Sequence, residues 1–410
     1  LAMGVSPPGG GATALCDVMK GKSPNGLFEH KFSEKWSEIL PVTYSHVASK
    51  NRFLYVNEQL HRMPSGPSGL LRTAPPFSRP LEDETIHSFV SRRLGGELAD
   101  IAIDSLCRGV FAGDCRKLSV RSCFPVLYNA EQRRGSIILG MLLGSGIHFC
   151  GRSVTESWAQ WSLIRGLQSL PESLTEFLQR SGRVQLHSEA AVTKIRPSET
   201  GWKIDLEDGV VSADHIISAL PAKALSSALP PSCQPIIKQL QDISTVTVAV
   251  VNLEYEGSIL PVTGFGHLVP SSEDRGLLGV VYDSVPFPEH NRPEGHTTRL
   301  TVMMGGAWFQ EVFGDPESVT EDDLLARATE GVQKHLGVTS APSWSRVVLQ
   351  RDCIPQYYLG HFQRVESIRS FIKKNNLPLS LIGSSYDGVS VNDVIFGGRN
   401  AAEELLGSVV

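Results

Sequence analysis

GSSYDGVSVNDVIFGGRNAA, Gly383 to Ala402, lies close to the end of a 410-residue chain. A strand-like Leu379–Ile382 runs into its glycines, and the glycines open a helix. A junction of this kind can aim backbone N–H groups at an anion, because the first N–H groups of a helix have no partner inside it. Gly388 gives the turn the freedom it needs. Gly397 and Gly398 inside the helix each cost roughly 1 kcal/mol against alanine, so they predict a close packing partner. Asp393, near the helix start, reads as a cap or dipole partner rather than a general base.

The chain around this stretch has the composition of a folded soluble or peripheral protein, 41% hydrophobic and 20% charged, and is long enough for two or three domains. A net charge of -5 leaves no basic excess to neutralise phosphates, so no nucleic-acid partner is expected. Cys16, Cys107, Cys115, Cys123, Cys150, Cys233 and Cys353 form no CxxC pair. They read as reduced thiols, and no metal site is expected. The longest apolar run, SIILGMLLGSGI from Ser136 to Ile147, is too short to span a bilayer. It reads as a buried core helix, with a segment lying in a membrane interface as the alternative. The N-terminal LAMGVSPPGGGATALCDVMK has neither a signal-peptide core nor the arginine-rich pattern of a transit peptide.

Residues 1–38 read as an irregular leader of loop and short helix. In NRFLYVNEQLHRM, Asn51–Met63, alternation of Phe53, Tyr55 and Leu60 with polar residues predicts a strand pair. Residues 64–80 are rich in Pro, Gly and Ser and read as loop. From Asp83 to about Gly144 the pattern is helical: Ile86, Phe89, Val90 and Leu94 keep one face behind a capping-like Asp83 and Thr85. Ser169–Gly182 predicts another helix, with Pro171 in its first turn and Gly182 past its end. VQLH (184–187), AVTKI (191–195), GWKIDL (201–206) and DHIISAL (214–220) then read as four short strands. Thr245–Tyr255, GFGHLVP, LLGVVYDS and RLTVMMGGAW predict a second, largely antiparallel sheet, crossed by a helix over Glu321–Gly337. The fold class is α+β, with its parts interleaved along the chain.

Several stretches agree on one family. CRGVFAGDCRKLSVRSCFPVLYNAEQRRGSIILG (Cys107–Gly140), ADHIISALPA (Ala213–Ala222), CIPQYYLGH (Cys353–His361) and the closing stretch resemble the protoporphyrinogen oxidase family, within the flavin amine-oxidase superfamily. NRFLYV and GFGHLVPSSED resemble its animal, mitochondrial branch. The resemblance runs from about Ile39 to Gly407. It implies an FAD/NAD(P)-binding-type flavin oxidase fold, with an interleaved substrate-sheet domain and a helical, membrane-associated domain. The strand pair of the substrate domain would lie at 39–63 and the helical region at 64–150. FAD-domain parts would lie at 155–240 and 353–410, and the substrate sheet at 241–352.

The same resemblance implies that Val192, Ser384, Val389, Ser390 and Val391 meet FAD, with backbone close to the flavin ring at the turn. Arg52 would pair with a propionate of protoporphyrinogen IX, while Phe265, Gly266, Leu268 and Met303 line the macrocycle pocket. The flavin would take a hydride from the porphyrinogen and pass electrons to O2, so no catalytic side chain is implied. A peripheral position on the mitochondrial inner membrane, intermembrane-space side, and a homodimer are implied too.

The family begins with a strand and a GxGxxG turn for the FAD pyrophosphate. SPPGGGATAL, Ser6–Leu15, has two prolines where a buried strand should be. The expectation is therefore a fold incomplete at its N-terminus, with FAD weakly held or absent. Two alternatives stay open: another flavin oxidase of the superfamily, acting on amines or carotenoid precursors, and a non-catalytic fragment unable to hold FAD.

Overall fold

The computed structural model describes residues 3–4, 38–63, 81–135, 156–292 and 295–407. The leader apart from Met3, Gly4 and Glu38, the loop 64–80 and residues 136–155, with the apolar run 136–147, lie outside them. The expectation of a missing dinucleotide turn falls there too.

A seven-stranded sheet dominates. Its order is Trp344–Pro355, Thr245–Glu256, Thr297–Gly306, Leu277–Val281, Gly266–Leu268, Phe53–Val56, Gln59–Arg62. Neighbours are antiparallel except Gly266–Leu268 and Phe53–Val56, which run parallel. The period of two divides each strand between two faces. Ala249, Val251, Leu253 and Tyr255 join Leu300, Val302 and Met304 on one face. Helix Glu321–Leu336 covers that face with Leu324, Ala328, Val332 and Leu336. Each fully buried aliphatic side chain there contributes roughly 1.5–3 kcal/mol. Thr320 caps the helix by accepting from the Asp323 N–H at 3.1 Å, and Gly337 ends it at φ +69°.

The helical region breaks into short pieces, chiefly Ile86–Leu94, Asp104–Phe111 and Pro125–Arg134, with Thr85 capping the first. Glu131, fully buried, pairs with Arg92 and Arg93 and ties the first piece to the last. Arg108 anchors the region to the sheet. Its buried guanidinium donates to the carbonyls of Val269 (2.9 Å), Asp274 (2.6 Å) and Leu277 (2.9 Å) and lies 4.3 Å from the Trp308 ring centroid. Burial lowers its pKa to about 10, so it remains cationic. Backbones meet closely at this seam: a Cβ on Gly306 would stand 2.2 Å from the Ala112 carbonyl oxygen. No described helix is long and apolar enough to cross a membrane.

The remaining sheets are small. Leu379–Leu381 runs parallel to Ile216–Ser218. Val192–Pro197, Trp202–Leu206 and Gly209–Ala213 form an antiparallel meander. Both share a core that includes Ile195, Trp202, Leu381 and Tyr386, and the Trp202 indole donates to the Pro378 carbonyl at 3.0 Å. A third small sheet pairs Trp158–Leu163 with Ile39–Thr43 and with Met3–Gly4.

Three readings need correction. VQLH, 184–187, is not a strand: Val184 and Leu186 are exposed, with no ladder partner among the described residues. The third meander strand is Gly209–Ala213, folded back on Trp202–Leu206 by a turn at Glu207 and Asp208. Within 39–63, only the Phe53–Arg62 hairpin joins the large sheet, because Ile39–Thr43 pairs with Trp158–Leu163.

Candidate functional site

The strands Ile216–Ser218 and Leu379–Leu381 end side by side. The Ser218 carbonyl accepts from the Ile382 N–H at 3.0 Å, and the chain then turns through Gly383 (φ +102°) to Gly388 (φ +145°). A Cβ on Gly388 would lie 2.5 Å from the Asp393 carboxylate, so this position excludes a side chain. The carboxylate belongs to a reciprocal cap. Ser390 Oγ donates to Asp393 Oδ2 (2.6 Å), the Ser390 N–H donates to the same oxygen (3.2 Å), and the Asp393 N–H donates to Ser390 Oγ (3.2 Å). Asp393 thus sits in the first turn as the capping partner of Ser390, within the cap-or-dipole role its position suggested. The Ser390 carbonyl in turn accepts from the Val394 N–H at 3.0 Å, so the hydroxyl and both backbone polar groups of Ser390 serve the helix start.

Ser384, Val389, Ser390 and Val391 come together on this turn. Ser384 is half-buried, Val389 leans on the helical region's core, and Val391 is 44% exposed at the head of helix Val391–Gly407. Val192 stands apart from them, 37% exposed on the first meander strand opposite Leu206. What joins it to the turn is the shared core beneath. Ile217 and Phe396, on the parallel strand and the closing helix, add further exposed apolar surface. The Ser218 and Tyr386 hydroxyls are buried without a partner among the described residues. Exposed apolar side chains, a backbone held open by glycines and a helix N-terminus suit a largely apolar ligand that carries negative charge. The close partner expected for Gly397 and Gly398 is not among the described residues: a Cβ on the first would meet nothing within 4 Å, and one on the second only Ile382.

The second group of predicted residues lies on the large sheet, opposite the helix-covered face. Met303, Gly279 and Leu268 stand in register on three adjacent strands, with Gly266 one step along, opposite Val281. Phe265 precedes Gly266, and the Arg52 guanidinium lies 5.9 Å from its ring centroid. The row is apolar, with a cation beside its Phe265 end. Gly279, which sequence reasoning missed, keeps it flat: a Cβ there would stand 2.7 Å from the His267 carbonyl oxygen. Only its place within an otherwise bulky strand, LLGVV, hinted at this. Gly109 of the helical region closes over Leu268, where a Cβ would meet the leucine at 2.6 Å.

Behind this row, His267 faces the other way. Its ring nitrogens lie 2.8 Å from the Tyr282 hydroxyl and 3.0 Å from His335 Nδ1. Burial, reinforced by the neighbouring imidazole, holds His267 well below its ordinary pKa, and burial brings His335 down to about 4. Both are neutral at physiological pH. The described cysteines are free, and burial raises their thiol pKa values, leaving no activated nucleophile among them. No group of three or more His, Cys, Asp or Glu among the described residues is arranged to hold a metal. What the row itself offers is an apolar surface with one guanidinium beside Phe265, suited to an apolar ligand that bears an acid.

The sequence profile of the family described as flavin containing amine oxidoreductase matches residues 12–406. Protoporphyrinogen oxidase from Homo sapiens is 48% identical over 394 residues, covering 91% of this chain and 82% of the human one. Protoporphyrinogen oxidase from Bos taurus is 48% identical over 393 residues, with the same coverage. The crystal structure of an Exiguobacterium sp. 255-15 protein, itself provisionally assigned as a protoporphyrinogen oxidase, superposes with a TM-score of 0.72 at 21% identity. It covers 92% of this chain and 84% of that one. That likeness speaks for the fold.

Proposed function

Because the chain belongs to the flavin-containing amine oxidoreductases, and within them to the protoporphyrinogen oxidases, we propose that it oxidises protoporphyrinogen IX to protoporphyrin IX. It is an FAD-dependent oxidoreductase of haem biosynthesis. The observation that carries the substrate is the flat row of Leu268, Gly279 and Met303 ending at Phe265 and Arg52. An apolar macrocycle bearing propionates matches an apolar strip with one guanidinium at its edge.

The residues present fit FAD. Val391, Phe396, Ile217 and Val192 are the apolar surface the cofactor would cover, and the turn from Gly383 to Gly388 lets backbone reach its ring. Val192, Ser384, Val389, Ser390 and Val391 would hold it. When bound, FAD supplies the two-electron acceptor for each dehydrogenation. The chain's own residues do the rest. The positive end of helix Val391–Gly407, fixed by the Ser390–Asp393 cap, favours negative charge beside Val391. The glycine-flattened row holds the macrocycle on the sheet, and Arg52 orients it by one edge. Docking of the helical region through Arg108 and Gly109 shields the row from water.

O2 as electron acceptor, with peroxide as product, belongs to the same proposal. So do a homodimer and a peripheral position on the mitochondrial inner membrane, with part of 64–150 toward the bilayer. What supports these is kinship with the animal enzymes. Oxygen consumption, the mass in solution and vesicle flotation check each in turn.

The test of the function offers protoporphyrinogen IX and a panel of primary amines to the FAD-loaded protein. The expected result is porphyrin fluorescence from the first and no oxidation of the second. Arg52→Ala should raise KM about tenfold or more with kcat little changed, since a charge-assisted pair contributes about 1.5–3 kcal/mol. Amine oxidation without porphyrin formation would overturn the proposal.

A further inference from the structure

The stretch CIPQYYLGH matches the family without a role attached, and the structure supplies one. Tyr357 lies two residues beyond strand Trp344–Pro355 of the large sheet. Its hydroxyl donates to the Ser384 carbonyl at 2.5 Å and accepts from the Gly388 N–H at 2.9 Å. Those two groups are the ends of the bend that carries the chain toward Val389, Ser390 and Val391. One phenol thus closes the bend like a clasp.

The clasp is itself fixed. The Tyr357 ring stacks on the His361 imidazole, with centroids 4.0 Å apart and planes 12° from parallel. His361 Nε2 lies 3.2 Å from the Tyr386 carbonyl oxygen and donates to it, so the same imidazole grips the middle of the bend. Burial lowers the pKa of His361 to about 4 and raises that of the Tyr357 hydroxyl, so neither group changes charge near neutrality. The Tyr357 carbonyl accepts from the Ser119 N–H at 2.8 Å, and Gln356 Nε2 donates to the Phe111 carbonyl at 2.9 Å. The tyrosine therefore stands where the substrate sheet, the helical region and the cofactor turn meet.

We infer that Tyr357, seated by His361, is a positioning residue that sets the flavin-facing turn against the substrate sheet. This rests on the FAD reading above and goes beyond it, because no contact between Tyr357 and the cofactor is required. A purely structural role predicts lost stability and nothing more. A positioning role predicts that the bend loosens and that FAD binds less well to an otherwise folded chain.

The decisive variant is Tyr357→Phe, which keeps the ring and its stack and removes the two hydroxyl bonds. Tyr282→Phe is the control, losing a buried hydroxyl bond to His267 far from the turn. In Tyr357→Phe, amide exchange at Gly388 should accelerate at least tenfold without cofactor. The FAD dissociation constant should rise about tenfold or more, and the flavin reduction potential should shift. Tyr282→Phe should lose comparable thermal stability and change none of these. His361→Gln, which keeps a donor and removes the ring, should weaken FAD binding by a smaller factor. If Tyr357→Phe matches the wild type in exchange at Gly388 and in FAD affinity, the positioning role is overturned while the FAD reading stands. A wild-type chain that takes up no FAD overturns both.

Discussion

In the seven-stranded sheet, Leu253, Val302 and Met304 face a helix of the same chain and are sealed from water. In the closing unit, Ile217, Val391 and Phe396 stand 41%, 44% and 38% exposed, around a parallel pair of only three residues a strand. The sheet draws strands from three separate parts of the chain and buries what it needs to bury. The closing unit keeps a core beneath, with Ile195, Leu225, Leu381 and Tyr386, yet among the described residues Ile217, Val391 and Phe396 on its ligand-facing side have no such cover. A parallel sheet is ordinarily covered on both faces. The lesson is a division of labour: one region is stable by its own packing, and the other is built to be completed by what it binds.

That contrast breaks most easily at a core position. Leu300→Ala removes a side chain 1% exposed in the middle of the sheet cluster and should cost about 3–4 kcal/mol in urea unfolding. The loss should be the same with and without saturating FAD. A loss that FAD largely repairs would mean that the sheet, too, depends on the cofactor.

Titration offers the next test. His335 in the sheet region and His361 beside the turn both sit near pKa 4, against about 6.5 unfolded. Below about pH 6.5 the unfolded chain binds protons that the folded chain refuses, so stability falls as pH drops and stops falling near pH 4. Each imidazole should account for roughly 3 kcal/mol across that window, an order-of-magnitude figure. His335→Gln should flatten the slope with or without FAD. His361→Gln should flatten it too while also loosening the cofactor, and equal cofactor affinity in the two variants would erase the distinction between the regions.

Cofactor linkage gives a somewhat smaller effect. FAD at one hundred times its dissociation constant should raise stability by about 2.7 kcal/mol. Amide protection should appear in residues 379–407 and the meander, with little change in Thr245–Glu256. Protection spread evenly over both regions would argue for one cooperative body and against the division.

Much of the sheet was legible because its strands alternate over long runs and its helix carries a cap and a terminal glycine. Thr245–Glu256 and Glu321–Leu336 fall where their patterns put them. VQLH carried the same local signal and failed, since alternation reports a preference for extended backbone and not the presence of a partner. Gly209–Ala213 was missed for the converse reason: its valines are 57% and 39% exposed, so no buried face announced the strand. At the site, the turn was readable from Gly388 and the helix that follows. Tyr357 was not, because its hydroxyl bonds groups 27 and 31 residues away, and no local pattern encodes that reach.

The smallest effect separates a cap from a binding residue. Ser390 holds the head of the closing helix through its bonds with Asp393, and an N-cap serine replaced by alanine costs typically about 1 kcal/mol. Ser390→Ala should therefore lower apoprotein stability by that modest amount. If the turn exists to present backbone to the flavin, the same variant should weaken FAD by more than the stability loss alone accounts for, because the Asp393 carboxylate is freed beside the cofactor's negative charge. Ser390→Thr, which keeps a hydroxyl and can rebuild the cap, should restore both properties. Ser390→Ala binding FAD as tightly as the wild type, measured by flavin fluorescence titration, would show that the cap serves the helix alone. The flavin side would then owe its shape to the glycines and the tyrosine clasp.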